Sequence, residues 1–227
     1  MKKKIIILLL LLSITILSSC SKKEENKESE NNMEPNVKII EQNDNGDITK
    51  GTIEGYTFTE TDDKTDRVKI QMEDGSVILA VLSNKSTPIT IANFKKLVSE
   101  HFYDGIIFHR VIENFMIQGG DPTGTGYSGS DETIKGEFLA NGVANSMSHE
   151  RGVLSMARSS AMDSASSQFF IMHADYPSLD GQYASFGKVF AGMDEVDKIA
   201  TTKVDGNDKP IEEQKIHSIR FINIEEA

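Results

Sequence analysis

The residues best suited to chemistry lie in one apolar stretch, Phe108 to Ile112 followed by Phe115 to Asp121. Alternate residues of a strand share a face. One face would then hold Arg110, Ile112, Asn114, Met116 and Gln118, and the other His109, Val111, Phe115 and Ile117, unless a bend falls near Glu113-Asn114. A cation, an amide and a thioether on one surface predict a site that grips a polar group inside an apolar setting.

Other chemistries lack their motifs, so the site must act by hydrogen bonding, desolvation and shape. The glycine-rich segment 119–126 lacks the Gly-Lys-Ser/Thr ending of a phosphate loop. The serines of 155–167 come without a Gly-x-Ser-x-Gly elbow. The five histidines show no short-range metal spacing, and Cys20 is the only cysteine. The sequence therefore predicts neither a metal nor a cofactor.

Strand patterns dominate the rest of the chain. Asp74-Gly75 between two apolar runs predicts a hairpin over 68–82. Thr87-Pro88 marks a helix start, with Thr87 as N-cap, and Val196 and Ile199 have helical spacing in a second helix over 193–200. Further strands are predicted over 106–117, 152–156, 168–172, 186–190 and 216–224. Seven or eight strands with two helices favour a mainly β fold, a closed antiparallel barrel capped by two α-helices.

The N-terminal residues are typical of a targeting signal rather than of part of the folded domain. Three lysines precede an apolar run from Ile5 to Leu17, which is short for a membrane span and has the proportions of a secretory signal. The run ends in Leu17-Ser18-Ser19-Cys20, which resembles the bacterial lipobox. We therefore predict a lipoprotein signal peptide over 1–19 and lipidation of Cys20. A plain signal peptide or a short membrane anchor is the alternative.

The segment 20–50 is predicted as a lipidated cysteine followed by a disordered polar tether, because Lys, Glu, Asn and Ser dominate its start. The interpretation of 51–66 stays open between an extra strand and the end of the tether. The folded domain is assigned to 67–227.

The net charge of the chain without residues 1–19 argues against some classes of binding partner. Removal of 1–19 takes away three lysines and no acid, which leaves 21 basic and 35 acidic residues and a formal net charge of −14. Such a chain does not bind nucleic acid or an anionic membrane through a basic patch. Attachment to a membrane must then come from the lipid on Cys20, and we expect an extracytoplasmic protein anchored to a bacterial cell membrane. Nothing in the sequence indicates an obligate dimer, so a monomer is expected.

Five motifs, in order, resemble the cyclophilin peptidyl-prolyl isomerases. They are Phe108-His109-Arg110-Val111-Ile112, Phe115 to Asp121, Gly152 to Ala157, Ser167 to Ile171, and Leu179-Asp180-Gly181 with Phe186 to Val189. The resemblance covers 67–224. It implies an eight-stranded antiparallel β-barrel capped by two helices, and cis–trans isomerisation of Xaa-Pro bonds in peptides and unfolded proteins.

The same resemblance implies roles for individual residues. The catalytic group is Arg110. The implied substrate-binding residues are the proline pocket Phe115, Met116, Phe170 and Leu179, the polar partner Gln118, the groove residues Ala157 and Arg158, and His109 and Tyr183 at the pocket border. Because His109 would occupy the strand face opposite Arg110, the alternation favours a structural role for it.

Three positions depart from the family pattern. Ser178 stands where cyclosporin-sensitive members have tryptophan, so we expect weak cyclosporin binding. Tyr183 replaces a histidine, and Arg158 occupies a position often held by asparagine. The altered flank leaves a second hypothesis open, a binding module that holds proline-containing segments with turnover incidental. A solute-binding transport lipoprotein would also explain the anchor, but the chain is short for two lobes.

Overall fold

A computed structural model describes residues 34–226, which form eleven strands and two α-helices. The strands are β1 (Lys38–Glu41), β2 (Lys50–Ile53), β3 (Tyr56–Glu60), β4 (Arg67–Met72), β5 (Val77–Val81), β6 (Arg110–Ile112), β7 (Met116–Gly119), β8 (Val153–Met156), β9 (Phe169–Met172), β10 (Ala184–Ala191) and β11 (Ile216–Glu226). The helices are α1 (Pro88–Ser99) and α2 (Met193–Ala200). The mainly β architecture with two helices agrees with the prediction.

The strand count and the closure differ from the predicted eight-stranded closed barrel. All strands belong to one antiparallel sheet in the order β1-β2-β3-β11-β4-β5-β10-β8-β9-β7-β6, and the sheet is not closed. Eight of the strands, β4 to β11, fall within the predicted domain, and three more precede it. The segment before β6 reaches the segment before β11 only through the isolated bridge Ile107↔Lys215 and neighbouring backbone hydrogen bonds. A three-residue β6 is too short to extend this contact into a ladder.

Helix α1 begins where the sequence predicts but is capped differently. Thr87 lies at the N-cap position and makes no side-chain capping bond. Instead the carboxylate of Glu137 accepts the backbone N–H groups of Ile89 and Thr90 at 3.0 and 2.7 Å. A negative charge at this end also complements the helix dipole. The cap comes from a residue nearly fifty positions away, which local sequence patterns do not reveal.

One large core lies behind the strands that carry the predicted site. Phe94 of α1 stands at its centre, with its ring centroid 5.1–5.5 Å from those of Tyr103, Phe169 and Phe186. All four side chains are fully buried. Aromatic pairs at these separations add to the stabilisation from burial alone. Phe169 belongs to this core while its neighbour Phe170 faces the other side of β9, as strand alternation requires.

The N-terminal strands correct the predicted tether. Residues 34–50 were assigned to it, yet they contain β1 and the start of β2, and Ile48 is fully buried. The stretch 51–66, left open above, contributes the rest of β2 and β3. A second core forms where Val37, Ile48, Ile53 and Phe58 cover the outer surfaces of other strands. The prediction was wrong because it extended the polar composition of 20–36 to the apolar residues that follow this segment.

A buried lysine fastens this N-terminal layer. Lys69 of β4 is fully buried, and its Nζ lies 2.6 Å from the Glu60 carboxylate and 2.8 Å from the Ile48 carbonyl oxygen. The Gln71 amide oxygen accepts a third bond from Lys69, and the Gln71 amide nitrogen donates to the Gly46 carbonyl. A buried ammonium is tolerated only with such partners. Burial lowers the pKa of Lys69, and the Glu60 charge partly offsets that effect.

The described residues hold no helix that is long and apolar enough to cross a membrane. The predicted signal peptide over 1–19 and the lipidation site Cys20 lie outside those residues.

Candidate active site

A cavity of about 640 Å³ gathers all ten predicted site residues. Its wall includes Arg110, Phe115, Met116, Gln118, Phe170 and Leu179, together with His109, Ala157, Arg158 and Tyr183. They come from β6, β7, β9 and the loops after β8 and before β10. The fold thus brings into one place residues that are up to 74 positions apart in the chain.

A short hairpin, not one continuous strand, positions Arg110 and Gln118. The predicted strand over 106–117 is interrupted because Asn114 adopts a left-handed φ of 59°, a conformation that asparagine tolerates. Arg110 pairs with Gln118 and Ile112 with Met116 across the hairpin. Cross-strand partners share a face, so Arg110, Ile112, Met116 and Gln118 remain together as predicted. Phe115, expected on the opposite face, lies at the turn and lines the cavity.

Arg110 is held from the side by a loop that sequence reasoning did not place at the site. Its Nε lies 3.7 Å from the Asp208 carboxylate, and the Val111 N–H donates to the Asp208 carbonyl at 2.8 Å. The Arg110 side chain remains 43% exposed, so its guanidinium is available to a substrate. An arginine stays charged at any physiological pH and offers a rigid fork of donors.

The apolar side chains beside Arg110 are buried or half-buried. Met116 and Phe170 are buried, and Leu179 and Phe115 are half-buried. The Phe115 ring lies 4.5 Å from that of Tyr176, and the Phe170 ring lies 5.9 Å edge-on from that of Tyr183. Phe115, Met116, Phe170 and Leu179 form one apolar surface beside the guanidinium.

A second glutamine orients Gln118. Gln168 accepts a hydrogen bond from the Gln118 amide nitrogen at 2.9 Å. Gln168 in turn donates to the carbonyls of Gly126 and Ser128 at 3.0 and 2.7 Å. These bonds engage the amide nitrogen of Gln118 as a donor to Gln168, and they leave the Gln118 carbonyl oxygen as a free acceptor. Gln168 lies in the motif Ser167 to Ile171, but sequence reasoning did not assign it a role.

The loop that follows β7 is organised by one carboxylate. Asp121 is buried and accepts hydrogen bonds from the Thr123, Thr125 and Gly126 backbone N–H groups at 2.7, 3.1 and 2.6 Å, with a longer one from Ser128. Burial alone would raise the pKa of Asp121, but these bonds outweigh it and lower the pKa to about 2. The glycine-rich segment is therefore an ordered loop, and its residues 124–127 line the cavity.

This carboxylate predicts a pH-dependent stability. The folded pKa of Asp121 is about 2, below its ordinary 3.8. The stabilisation is thus present above pH 4 and is lost as the pH falls towards 2. We expect Asp121→Asn to lower the free energy of unfolding by on the order of 2 kcal/mol at pH 7. Urea unfolding of both proteins should show this difference shrinking between pH 4 and pH 2. The exposed Asp131→Asn is the control, and a constant difference at all pH values would contradict the assignment.

Arg158 lies on the cavity wall with its guanidinium stacked between two rings. Its Cζ is 5.0 Å from the Phe138 ring centroid and 4.8 Å from that of Tyr183. Its nitrogens donate to the carbonyls of Gln182 and Ser159 at about 3 Å. Among residues 34–226 it forms no ion pair within 4.0 Å. The side chain is therefore held in place while its charge is uncompensated, unlike a freely solvated surface arginine.

His109 also lines the cavity, contrary to the expectation from strand alternation. It precedes β6, so the alternation does not apply to it. Its ring is buried, and neither ring nitrogen has a hydrogen-bond partner in the described part of the chain. Burial lowers the pKa of His109, with the Asp121 charge opposing. The buried ring therefore contributes to the cavity wall, and its structural role stays a prediction.

Seven further residues line the cavity and were missed. They are Gly124, Thr125, Gly126, Tyr127, Asp205, Asn207 and Lys209. The composition of 124–127 is typical of a loop, but no local signal shows that 205–209 lies beside Arg110. Within the described residues, no group of His, Cys, Asp and Glu could hold a metal ion.

Known proteins share this arrangement of motifs and fold. The family model for cyclophilin type peptidyl-prolyl cis-trans isomerases (CLD) matches residues 67–221. The chain is 40% identical over 163 residues to peptidyl-prolyl cis-trans isomerase-like 1 of Gibberella zeae, which covers 71% of this chain and 98% of that protein. It is 47% identical over 123 residues to peptidyl-prolyl cis-trans isomerase B of Bacillus subtilis, which covers 54% and 82%.

A solved structure is similar as well. The crystal structure of a cyclophilin type peptidyl-prolyl cis-trans isomerase from Cryptosporidium parvum, determined in the presence of the dipeptide Ala-Pro, superposes with a TM-score of 0.62. It is 33% identical, and the match covers 68% of this chain and 97% of that one. The motif order, the cavity and these relatives agree: the chain belongs to the cyclophilin-type peptidyl-prolyl cis–trans isomerases.

Proposed function

We propose that this isomerase accelerates rotation of Xaa-Pro bonds in exported and unfolded proteins outside the cytoplasm, with Arg110 as its catalytic residue. The observation that carries the catalytic assignment is the pairing of Arg110 with Gln118 beside the apolar wall of a single cavity. A donor, an acceptor and an apolar pocket are what a twisted prolyl amide needs.

The chemistry follows from the electronic structure of the amide. Delocalisation of the nitrogen lone pair into the carbonyl gives a rotational barrier of about 18–20 kcal/mol. In the twisted state the nitrogen becomes pyramidal and its lone pair is localised, so it accepts a hydrogen bond that hardly exists in the planar amide. The Arg110 guanidinium donates that bond and stabilises the transition state selectively. No covalent bond forms or breaks.

The pocket makes this hydrogen bond stronger. Phe115, Met116, Phe170 and Leu179 hold the proline ring and exclude water, and a preorganised donor acts more strongly in a dry site. The Gln118 carbonyl oxygen accepts a hydrogen bond from the substrate backbone. Ala157 and Arg158 lie beside the substrate residues that flank the proline.

The isomerase assignment is tested by NMR exchange spectroscopy on a short Ala-Pro-Phe peptide with the purified full-length chain. We expect cis–trans exchange on the sub-second timescale, against roughly tens to hundreds of seconds without enzyme. Absence of acceleration by a well-folded protein would leave a binding module on the same scaffold.

The proposed location rests on the N-terminal sequence. A lipid on Cys20 would anchor the protein at a bacterial membrane and place the domain outside the cytoplasm. Its test is expression of the wild type and Cys20→Ser in a bacterial host, followed by fractionation and intact mass. A diacylglyceryl mass on a chain that begins at Cys20, and release of the variant from membranes, are expected. An unlipidated chain cut elsewhere would overturn the anchor.

The charge of Arg158 predicts a substrate preference. Because its guanidinium is fixed at the cavity wall without an acidic partner, we expect a glutamate flanking the proline to bind better than a glutamine. The gain in kcat/KM should be roughly two- to fivefold, as for a partly exposed ion pair. Arg158→Gln should equalise the two peptides. A preference that persists in this variant would assign it to another group.

A second candidate function is that of a holdase for unfolded chains. Tyr127 lines the cavity and is 96% exposed, and Leu139 and Met162 are also largely exposed. Such apolar side chains suit transient contact with unfolded clients. Comparison of aggregation protection by the wild type and Arg110→Ala separates the two activities. Protection that survives the loss of isomerisation would be an independent function.

We also propose that the protein acts as a monomer and binds cyclosporin weakly. Ser178 lies in an exposed turn, where it offers little apolar surface to a cyclic peptide. Isothermal titration with cyclosporin tests the second point, and light scattering tests the first.

A further inference from the structure

A buried histidine lies behind the proline pocket and contacts the elements that form its wall. His149 is buried, with its ring stacked on that of Phe170 at a centroid distance of 6.1 Å and an interplanar angle of 19°. Phe170 is part of the pocket surface. The orientation of this pocket ring therefore depends on a side chain that does not line the cavity.

The two nitrogens of His149 are both engaged. Nδ1 lies 2.9 Å from the Asp180 carboxylate and Nε2 lies 3.0 Å from the Ser155 hydroxyl. A carboxylate can only accept, so Nδ1 carries the proton and Nε2 accepts from Ser155. Burial lowers the pKa of His149, and the Asp180 contact only partly offsets this, so the ring is neutral at neutral pH.

Each of these bonds leads to a different part of the pocket. Asp180 directly follows the pocket residue Leu179 and also accepts the His149 backbone N–H at 2.7 Å. Ser155 of β8 pairs with Phe170 of β9. The His149 carbonyl accepts the Tyr176 N–H at 2.8 Å, and the Tyr176 ring lies against Phe115. Three pocket residues, Phe115, Phe170 and Leu179, are thus linked through His149.

The constellation of serine, histidine and aspartate does not indicate a nucleophile. Ser155 is fully buried inside the sheet. A substrate carbonyl cannot reach it, and its hydroxyl proton is already donated to His149. The arrangement fixes an imidazole by two hydrogen bonds.

We propose that His149 is a positioning residue that sets the shape of the proline pocket through Asp180 and Ser155. This inference rests on the proposed role of the pocket in holding proline. Substitution of His149 leaves the apolar wall residues in place, so the pocket still excludes water around Arg110. Because the pocket grips the proline ring in both the planar and the twisted states, a displaced wall weakens the binding of both states to a similar extent. Loss of His149 should therefore raise KM and leave kcat nearly unchanged.

The test is saturation kinetics of the full-length chain with an Ala-Pro-Phe peptide. We expect His149→Ala to raise KM about tenfold and His149→Gln, which restores one hydrogen bond, about threefold, with kcat within about twofold in both. Asp180→Asn, whose side chain is partly exposed, is the milder variant if the others fold poorly, and it should raise KM about threefold. A KM within twofold of the wild type in folded variants would overturn the proposal.

A matched control separates positioning from simple destabilisation. Ser218 is fully buried like Ser155 and its hydroxyl bonds Asp47, which does not line the cavity. Ser155→Ala and Ser218→Ala should both lower the melting temperature, but only Ser155→Ala should raise KM. Partial unfolding lowers the amount of active protein and does not change the KM of the folded molecules. An equal change in KM for both variants would contradict the proposal, whereas an inactive wild type would refute the proposed function itself.

Discussion

Arg110→Ala should lower the rate of prolyl isomerisation by about 10²–10³ while the protein remains folded. The reason is that the guanidinium supplies a hydrogen bond made mainly in the twisted state, so its removal raises the barrier by roughly 3–4 kcal/mol. The folded state loses little, because the pair with Asp208 spans 3.7 Å between two side chains that are over 40% exposed. Such exposed pairs contribute about 0–1 kcal/mol.

The measurement is NMR exchange spectroscopy with a thermal melt of each variant. Arg151→Ala is the matched control, since Arg151 is 41% exposed and pairs with Asp197 but does not line the cavity. Its activity should stay within about twofold of the wild type. Arg110→Lys keeps the charge without the planar fork and should fall between the wild type and alanine. Activity of Arg110→Ala within tenfold of the wild type would move the catalytic role to another group.

Gly120→Ala should be the most damaging of the glycine substitutions near the site. Gly120 has a φ of +88°, and an added Cβ would lie 2.4 Å from the Ser167 carbonyl oxygen and 2.9 Å from the Gln168 Cα. These are backbone atoms that cannot turn away. Left-handed strain and the clash together should cost about 3–5 kcal/mol. Displacement of Gln168 should also disturb the hydrogen bond that orients Gln118.

Gly55→Ala isolates the strain from the clash. Gly55 has a similar φ of +84°, but an added Cβ would meet no atom within 4 Å. We expect it to lose about 1–2 kcal/mol, the ordinary penalty of a left-handed alanine. Urea unfolding of both variants gives the comparison. If Gly120→Ala is no more destabilised than Gly55→Ala, the close approach of Gly120 to the Ser167 backbone does not add to the cost.

The sequence predicts those features that depend on the alternation of apolar and polar residues and on the order of the motifs. The β4–β5 hairpin, the start of α1 and the shared face of Arg110 and Gln118 follow from local patterns. What it missed depends on contacts between distant segments. Glu137 caps α1, Asp208 flanks Arg110 and Lys69 fastens the N-terminal strands, and each partner is remote in the chain. No local pattern encodes those distances.

The assignment of residues 34–50 to a tether was wrong for a related reason. Val37, Ile48, Ile53 and Phe58 are sparse among polar residues, and their composition resembles that of a linker. These four side chains are buried because they pack against the apolar outer surface formed by Val77, Leu79 and Ile222. The sequence predicts the apolar run over 77–82 as one strand of a hairpin, but only the structure shows which segment covers it.

The position of β11 has a consequence for how the molecule is made. Residues Ile216–Phe221 pair with β4 and Ile222–Glu226 pair with β3, so β11 joins two strands that lie more than 140 residues earlier in the chain. Pairings so far apart in sequence are slow to form because a long loop must close. We expect β3 and β4 each to keep one unpaired edge until β11 has been synthesised and pairs with both. The sheet of this isomerase would thus be completed late in its own folding, when β11 pairs with β3 and β4.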